Sequence, residues 1–394
     1  MRDTVIYIGS IMLPDKSAGA QRALSLSKSL RNLGYNVILV GMEKGNHIDR
    51  PILSTKRLCQ GFDSFSVPQP KTIKQWIHHT VSAKEFIDVI SAYGVDRIKC
   101  VILMEYEAIP LIKMVNFCRK YGIPLVADAE EWYENSHMHF PMNLAKDFDT
   151  WLRMYCVYPL MVKNMICISR FFENHYNRHI PNRAFIPGTI DEAEEKWKSL
   201  SYTPNRILTL GYAGNPGIRF EKERLDLLIR AVVELNCEGK PCRLLLAGID
   251  EQFIEKSGAL KDDIARSDGA IELKGHLSHH QCLHMISSCD FSVIIRESKR
   301  VTNAGFPTKL SESLGCGTPV LTTRTSNIAE YINDPQWGIV CNDCDIASIK
   351  SMIEHAMLYT SEELVKMHIN IRTQNPLRYS CFDSSLENFL STLL

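Results

Sequence analysis

Short apolar runs alternate with amphipathic helical patterns through the first half of the chain. The run at residues 5–8 is rich in β-forming residues, and residues 20–33 place apolar side chains on one helical face before Gly34. A second helical pattern covers residues 109–121, and further strand-like runs lie at 37–40, 101–104, 124–128 and 165–168. This alternation predicts a parallel sheet with helices on both faces.

The alternation restarts after a polar break that contains proline, at residues 201–205. A helical pattern covers about 221–235, and strand-like runs lie at 207–210, 244–248, 271–273, 291–295 and 319–322. The sequence therefore predicts an α/β protein with two Rossmann-like domains that face each other across a cleft. Their predicted ranges are 1–200 and 201–375. Residues 376–394 are long enough for a closing helix, and the pattern leaves open whether this helix returns to the first domain.

The composition is that of an ordinary globular chain of two domains. Its 394 residues carry 45 Lys and Arg against 45 Asp and Glu, so no overall charge attracts nucleic acid. Thirteen cysteines are scattered between Cys59 and Cys381, which favours reduced thiols in a cytoplasm. The sequence has neither a signal-peptide core nor a run of ~18 apolar residues. We therefore expect a cytoplasmic protein without a membrane span.

Two aromatic segments raise the question of peripheral contact with a membrane. Residues 148–162, which include Trp151 and Tyr155, form an amphipathic pattern. Such a pattern fits either a membrane surface that carries a lipid-linked acceptor or the protein core, and the core is the more common use. The same two interpretations hold for residues 71–79, which include Trp76.

The segment richest in candidate chemistry is residues 296–323, which read RESKRVTNAGFPTKLSESLGCGTPVLTT. Gly305 frees the backbone, and the proline after Phe306 suits the first turn of a helix. The amide N–H groups of that turn, the helix dipole, the hydroxyl of Thr308 and the charge of Lys309 fit a diphosphate. Glu312 lies on the same face, where it can accept hydrogen bonds from two ribose hydroxyls. The alternative is a surface helix whose lysine and glutamate are solvated.

Several segments together resemble one family. They are residues 17–22, 168–171, 186–191, 210–216, 222–228, 246–248, 273–276 and 305–320. In this order they are similar to segments of the large retaining glycosyltransferase family of GT-B fold, which includes sucrose synthases, bacterial mannosyltransferases and many capsule and O-antigen sugar transferases. The resemblance covers nearly the whole chain, and residues 305–320 are its most specific part.

The resemblance implies a donor site built mainly from the second domain. Lys222 matches the family's basic residue on the donor diphosphate, at the start of that domain's first helix, and Glu312 matches the glutamate that holds the donor ribose. Asn215 stands where the family often has arginine, and Arg219 and Arg296 are the candidates for the missing charge. The full set of predicted donor-binding residues is Gly19, Gly214, Asn215, Arg219, Gly275, Arg296, Gly305, Phe306, Thr308, Lys309 and Glu312.

One position departs from the family pattern. The family's first motif glutamate, which lies near the donor sugar, would fall at Ala304. The Gly-Phe-Pro-Thr-Lys pattern around it resembles a subgroup that keeps Lys309 and Glu312 and lacks that glutamate. The resemblance therefore implies a variant of the family's site.

In the first domain, Glu131 follows the end of a predicted strand, beside Trp132 and Tyr133. Carboxylates next to aromatic rings suit the recognition of sugar hydroxyls, and the resemblance implies that this triplet faces the cleft. An equally weighted alternative is that the acids here cap the next helix. Gly19 is predicted to lie in a loop before the first helix, where it lets the backbone approach a donor phosphate or the acceptor.

The resemblance implies a hexosyltransferase that retains the anomeric configuration, with a nucleotide sugar as its substrate and no cofactor. Lys222 and Lys309 would stabilise the charge that develops on the diphosphate, and Glu131 completes the predicted catalytic set. An Asp-x-Asp pair is lacking near the motifs, so we predict no metal site and metal-independent turnover. The expected acceptor is a glycan or a lipid-linked sugar of bacterial surface polysaccharide, reached in the cytoplasm or at the inner face of the membrane.

Three other classes of protein stay open at this point. They are a nucleotide-sugar epimerase of the same fold, a catalytically silent partner subunit suggested by Ala304, and an NAD-type dehydrogenase, which the missing GxGxxG argues against. Cys341 and Cys344 are a lone pair rather than a zinc site. His279 and His280 are expected to face solvent.

Overall fold

The computed structural model describes residues 2–13, 17–44, 51–134, 140, 142–217, 219–258, 260–332 and 335–394. The chain divides into two compact units. Unit 1 comprises Met1–Thr189 and Tyr379–Leu394, and unit 2 comprises Ile190–Arg378. Residues 190–200, which the sequence pattern assigns to the first domain, lie in unit 2. Each unit has a hydrophobic core of its own.

Unit 1 is built on a sheet whose central strands are buried. Its strands are β1 (Thr4–Gly9), β2 (Asn36–Glu43), β3 (Arg57–Cys59), β4 (Phe62–Pro68), β5 (Ile98–Met104), β6 (Leu125–Ala129), β7 (Asn164–Cys167) and β8 (Asn182–Phe185). Among the described residues their order is β3-β4-β2-β1-β5-β6-β7-β8, and only the β3–β4 pair is antiparallel. All residues of β1 are buried, as expected for a continuous apolar run covered on both faces.

The first helices of unit 1 begin at polar caps. Ser17 accepts a hydrogen bond from the amide of Ala20, and Thr72 forms a capping box with Gln75. The helices are α1 (Ala18–Asn32), α2 (Ile73–Val81), α3 (Lys84–Tyr93), α4 (Ala108–Lys120), α5 (Met142–Trp151), α6 (Tyr158–Met161) and α7 (Arg170–His175), with a π-helical segment at Leu152–Val157. Short 3₁₀ turns lie at Ile52–Thr55 and Val95–Arg97.

Unit 2 has a parallel sheet of the same plan. Its strands are β9 (Leu208–Ala213), β10 (Cys242–Ala247), β11 (Ile271–Gly275), β12 (Phe291–Ile294), β13 (Val320–Thr323) and β14 (Gly338–Cys341), in the order β11-β10-β9-β12-β13-β14 over the described residues. The helices are α8 (Glu195–Lys198), α9 (Leu225–Cys237), α10 (Glu251–Ser257), α11 (Lys261–Arg266), α12 (His279–Ser288), α13 (Arg300–Ala304), α14 (Thr308–Gly315), α15 (Ile346–Ala356) and α16 (Ser361–Gln374).

The closing helix, α17 (Asp383–Ser391), belongs to unit 1. Its apolar side chains Leu386, Phe389 and Leu390 are buried in the core that holds β1 and β5. Asn164 on β7 also donates a hydrogen bond to the carbonyl of Leu394 at 3.0 Å. The last residues of the chain therefore complete the first unit.

The predicted α/β class with two Rossmann-like domains is confirmed by this architecture. Four strands were missed: β3, β4, β8 and β14. Their sequences are short or mix polar with apolar positions, so no continuous apolar run marks them. The helix expected from about 221 begins only at Leu225, because residues 219–224 form a loop that enters the helix.

Candidate functional site

In unit 2 the strand order reverses between β9 and β12. Doubly wound sheets bind ligands at such a reversal, beyond the carboxyl ends of the strands. Gly214 directly follows β9, Arg296 lies just beyond β12, and Lys309 stands in the first turn of α14. The structure thus brings three of the sequence-predicted residues to one crevice.

Lys309 is held by a buried carboxylate that the sequence analysis did not single out. Its Nζ lies 2.8 Å from Oε2 and 3.0 Å from Oε1 of Glu223. The hydroxyl of Tyr212 donates to the same carboxylate at 2.7 Å, and the ring of Tyr212 lies 5.3 Å from Lys309 Nζ. Because Glu223 is only 4% exposed, its charge depends on these partners. Lys309 is therefore fixed in place and is not the freely solvated lysine of the alternative interpretation.

Arg296 adds a second cation to this cluster. Its backbone amide donates to Thr323 Oγ1 at 2.8 Å, and its Nη1 is buried with no hydrogen-bond partner among the described residues. Burial acts to raise the pKa of Glu223, but the charges of Lys309 and Arg296 outweigh it and lower that pKa. Glu223 is therefore ionised, and two cations against one anion leave the crevice positive.

Three glycines stand at adjacent strand ends, and one of them, Gly214, lies next to Lys309. Gly214, Gly248 and Gly275 have φ of 153°, 86° and 61°, in the region that favours glycine. A Cβ on Gly214 would lie 2.4 Å from Cε of Lys309, and one on Gly248 would lie 2.3 Å from the carbonyl oxygen of Gly214. A side chain at either position would push the backbone away from the lysine.

The first turn of α14 follows Pro307, which makes no side-chain cap. Oε1 of Glu312, one turn further along α14, lies within hydrogen-bond distance of His279 Nε2, at 3.1 Å. His279, at the start of α12, is therefore paired with a residue of α14, and the expectation that it simply faces solvent was wrong. Phe306 is buried and packs edge-on against Tyr331, with ring centres 5.8 Å apart. It serves the core next to the helix.

One expectation about this motif needs correction. Gly305 has φ −81°, which other residues adopt freely, so the turn does not need glycine for its backbone angle. Ala304 is fully buried at the end of α13. A glutamate there would have to be buried as well or displace the helix end.

Thr308 is the first residue of α14, and three further predicted residues of unit 2 lie on an exposed loop. Asn215, Arg219 and Lys222 are all exposed. Asn215 accepts a hydrogen bond from the amide of Gly217 at 2.9 Å, so its side chain shapes the loop. Lys222 lies before α9 and not at its start, contrary to expectation, although its carbonyl lies 3.4 Å from Nε of Arg296.

In unit 1 the strand order reverses between β1 and β5. Gly19 lies inside the first turn of α1 and not in the loop before it, contrary to expectation. A Cβ on Gly19 would lie 3.3 Å from Met104 Sδ and 3.6 Å from Glu130 Oε2. The start of α1 is thus close to the ends of β5 and β6, where the acidic residues stand.

A buried ion pair supports this end of the sheet. Arg22 is 3% exposed, and its Nη2 lies 2.7 Å from Oδ1 of the fully buried Asp128. Its Nη1 donates to the carbonyls of Ile186 and Pro187, both at 2.9 Å. Glu130 lies 2.9 Å from Nε of the same arginine, and burial raises the pKa of Glu130 well above its usual value despite Arg22. One buried cation therefore serves two carboxylates.

The predicted triplet after β6 divides between surface and core. Glu131 and Tyr133 are exposed, whereas Trp132 is 2% exposed and packs against Phe172. Trp132 also meets Tyr155 edge-on. Trp132 therefore anchors this segment in the core of unit 1, and the expectation that the triplet faces a cleft stays a prediction.

Sequence reasoning missed Glu223, His279 and Glu105. Glu105 follows β5 and receives hydrogen bonds from the segment after β6. The signals were weak: Glu223 stands in a charged run, EKER, and Glu105 is an acid directly after a strand end. Their partners are distant in the sequence, so only the fold reveals the contacts.

The comparisons with known proteins point in one direction. Residues 211–374, inside unit 2, match the family model described as glycosyl transferases group 1. An uncharacterized glycosyltransferase of Methanocaldococcus jannaschii is 23% identical over 202 residues, which are 51% of this chain and 51% of that protein. The match thus spans about half the length of this curated relative.

Solved structures share the fold at low identity. HepE of Anabaena in complex with UDP and glucose is 11% identical with a TM-score of 0.64, over 99% of this chain and 100% of that chain. Sucrose-phosphate synthase of Thermosynechococcus elongatus is 13% identical with a TM-score of 0.68, over 100% and 99%. Starch synthase IV of Arabidopsis thaliana, bound to ADP and acarbose, is 10% identical with a TM-score of 0.72, over 99% of both chains.

The fold class is therefore that of the GT-B glycosyltransferases. Within unit 2 the sequence is similar to the group 1 glycosyl transferases, and the solved structures share the fold of the whole chain. In the part of the chain that the structure describes, no helix has the length and apolar character needed to cross a bilayer.

Proposed function

We propose that this protein is a retaining hexosyltransferase that moves a sugar from a nucleoside-diphosphate sugar to a glycan or lipid-linked acceptor of surface polysaccharide synthesis. The observation that carries the proposal is the cluster of Lys309, Arg296 and Glu223 at the strand reversal of unit 2. The buried Nη1 of Arg296 lacks a partner among the described residues, so a donor oxygen can satisfy it. UDP and ADP in the structures of similar fold support a nucleotide as the ligand.

The cluster suits the charge that appears when the bond from the sugar to the diphosphate breaks. Negative charge then develops on the leaving phosphate, and pre-positioned cations stabilise it without reorganising. Glu223 holds Lys309 in place before the donor binds, and the first-turn amides of α14 add the positive end of a helix dipole. Lys222, on its exposed loop, is proposed as a further cation that contacts the diphosphate once the donor is bound.

Glu312 is proposed to hold the donor ribose. Its carboxylate is about one-quarter exposed and has His279 as a partner at 3.1 Å. The ribose hydroxyls would share this carboxylate with the histidine, which orients it. Gly214 and Gly275 have no side chain that would obstruct the donor. The proposed donor site is completed by Asn215, Arg219, Gly305, Phe306 and Thr308.

The acidic end of unit 1 is proposed to recognise hydroxyl groups of the transferred sugar or the acceptor. Glu131 is exposed there, and Gly19, which has no side chain, lets the first turn of α1 lie close to Met104 and Glu130. Carboxylates bind hydroxyls well because each oxygen accepts two hydrogen bonds. Glu131 is therefore the proposed catalytic or positioning carboxylate of the first unit.

A peripheral contact with the membrane is proposed for a lipid-linked acceptor. In residues 148–162, Phe148 is 60% and Trp151 is 50% exposed, so the core does not cover this part of the segment. Together with Leu144 and Tyr155, these residues form an exposed stripe at helical spacing along α5 and the π-helical segment. In α2, Ile73 is 81% exposed beside Trp76, and no residue of this helix is buried.

The first experiment is a thermal-shift screen with UDP, GDP, ADP and their sugars, because a ligand of the native state raises Tm. Turnover is then measured with the stabilising donor across an acceptor panel. Free nucleotide released only when acceptor is added supports transfer, whereas conversion of the donor sugar without acceptor supports an epimerase. Donor binding without any turnover would support a silent subunit, and stabilisation by no nucleotide would contradict the donor site.

A further inference from the structure

Glu105 occupies an unusual backbone position at the strand reversal of unit 1. It follows β5 directly and has φ +40°, in the left-handed region that non-glycine residues other than Asn and Asp seldom adopt. Such a conformation costs free energy, so surrounding contacts must hold it. The contacts of its side chain supply the reason.

The Glu105 carboxylate organises the segment that follows β6. Oε1 accepts a hydrogen bond from the amide of Glu130 at 2.9 Å and another from the amide of Glu131. Oε2 accepts a hydrogen bond from the hydroxyl of Tyr133 at 2.7 Å. The Glu105 side chain therefore accepts hydrogen bonds from three residues of the segment that follows β6.

The charges around this carboxylate oppose one another. Burial raises the pKa of Glu105 to about 7, with a further raise from Glu131, while Arg153 acts to lower it. Arg153 is 3% exposed, and its guanidinium lies 5.8 Å from the ring centre of Tyr133. The titratable or charged groups facing Glu105 from the packed segments are Glu130, Glu131, Tyr133, Arg153 and Tyr158.

We propose that Glu105 is a positioning residue, which fixes the backbone of residues 130–133 and thereby the direction of the Glu131 carboxylate. Proton uptake by Glu105 replaces an ionised acceptor with a neutral one and weakens its three hydrogen bonds. The segment then loosens, and Glu131 loses its fixed direction. Only the role of Glu131 in turnover rests on the proposed function; the control of the segment by Glu105 does not.

The direct test measures amide hydrogen exchange of residues 130 and 131 at about pH 6 and about pH 8, which bracket the titration of Glu105. Exchange is expressed relative to the intrinsic rate at each pH. In the wild type, protection should fall about five-fold or more on going to the lower pH, as for loss of a charge-assisted acceptor. Glu105→Gln keeps the shape, so its protection should not vary with pH, and Glu105→Ala should lose protection at both values.

Glu107→Gln is the matched control, since Glu107 stands two residues away and pairs with Lys146. It should leave the pH dependence of amides 130 and 131 as in the wild type. Protection in the wild type that does not change with pH, or a Glu105→Gln variant that keeps the wild-type dependence, would overturn the proposal. Because this readout needs no substrate, it decides on Glu105 even if the proposed transferase activity fails.

The second arm uses turnover with the donor and acceptor found in the screen. Glu105→Gln should remove an acidic limb near pH 7 from kcat/KM for the acceptor, while the Kd of the nucleotide stays unchanged. An equal loss in nucleotide affinity would mean that the variant acts through general folding. An acidic limb that persists unchanged in the variant would contradict the role of Glu105.

Discussion

The two units follow the same sheet plan but place different ionisable groups at the reversal of strand order: two cations with one buried carboxylate in unit 2, and several carboxyl groups around the buried Arg22 in unit 1. In unit 2, Lys309 and Arg296 face one buried anion, Glu223, so positive charge is in excess. In unit 1, the buried Arg22 faces both Asp128 and Glu130, with Glu105 and Glu131 beside them. One unit is therefore suited to phosphate oxygens and the other to hydroxyl groups.

In both units a single buried charged residue holds residues of the opposite charge. Glu223 holds Lys309 in unit 2, and Arg22 holds Asp128 and Glu130 in unit 1. Removing one of the more numerous charged residues of a cluster should change ligand binding. Removing the single buried residue of opposite charge should first lower the stability of the unit. The predictions below test this distinction, from the largest effect to the smallest.

Arg22→Met should lower the free energy of unfolding of unit 1 by ~3–5 kcal/mol, because it leaves Asp128 buried without its cation. Urea unfolding followed by circular dichroism measures the change. Arg119→Met, at an exposed position of α4, is the matched control and should stay within about 0.5 kcal/mol of the wild type. Equal stability of the two variants would show that the buried pair does not support the unit.

Lys309→Ala should weaken nucleotide diphosphate binding by ~1.5–3 kcal/mol, as for a lost charge-assisted hydrogen bond. Isothermal titration calorimetry measures the affinity, and circular dichroism confirms that the variant folds. Lys274→Ala is the control, because Lys274 pairs with Glu272 on an exposed part of unit 2. Wild-type affinity in a folded Lys309→Ala protein would remove Lys309 from the donor site.

Glu312→Gln should cost about 1 kcal/mol in binding of ribonucleotides, since it keeps the shape of the side chain but loses the ionised acceptor. The cost should shrink for analogues without the ribose hydroxyls, which calorimetry with matched ligands can measure. A loss of the same size with both ligands would indicate that Glu312 acts through the fold or through its pair with His279.

Removal of divalent metal should have no effect on turnover, because lysine and arginine already neutralise the leaving group in this proposal. Activity is measured in excess EDTA with and without added magnesium or manganese. In the same assay Lys222→Ala and Lys309→Ala should each slow transfer, and the double variant should lose less than the sum of their free-energy costs. Loss of activity in EDTA that magnesium restores would contradict this charge assignment.

The sequence predicted the parts of this comparison that local pattern controls. Continuous apolar runs gave the central parallel strands, and the spacing of Lys309 and Glu312 placed both on α14. It could not predict the partners across the sheet, because Lys309 meets Glu223 over 86 positions and Arg22 meets Asp128 over 106. Glu105 was missed for the same reason, because its hydrogen-bond partners lie in the segment after β6.

For residues 148–162 the sequence left both the core and a surface contact open, and the structure divides the segment between core and surface. An amphipathic pattern gives the face of a helix but not what covers that face. Arg153 and Tyr158 turn inward, whereas Phe148 and Trp151 remain exposed. The assignment to the core followed common usage and not any local signal.

The return of α17 to unit 1 has a consequence for biosynthesis. The apolar surface that Leu386, Phe389 and Leu390 cover is formed by residues that leave the ribosome long before them. Unit 2 can fold as soon as its continuous segment has emerged, but unit 1 stays incomplete until the residues of α17 have followed. During the synthesis of unit 2, the nascent first unit therefore leaves uncovered the apolar side chains that α17 later buries.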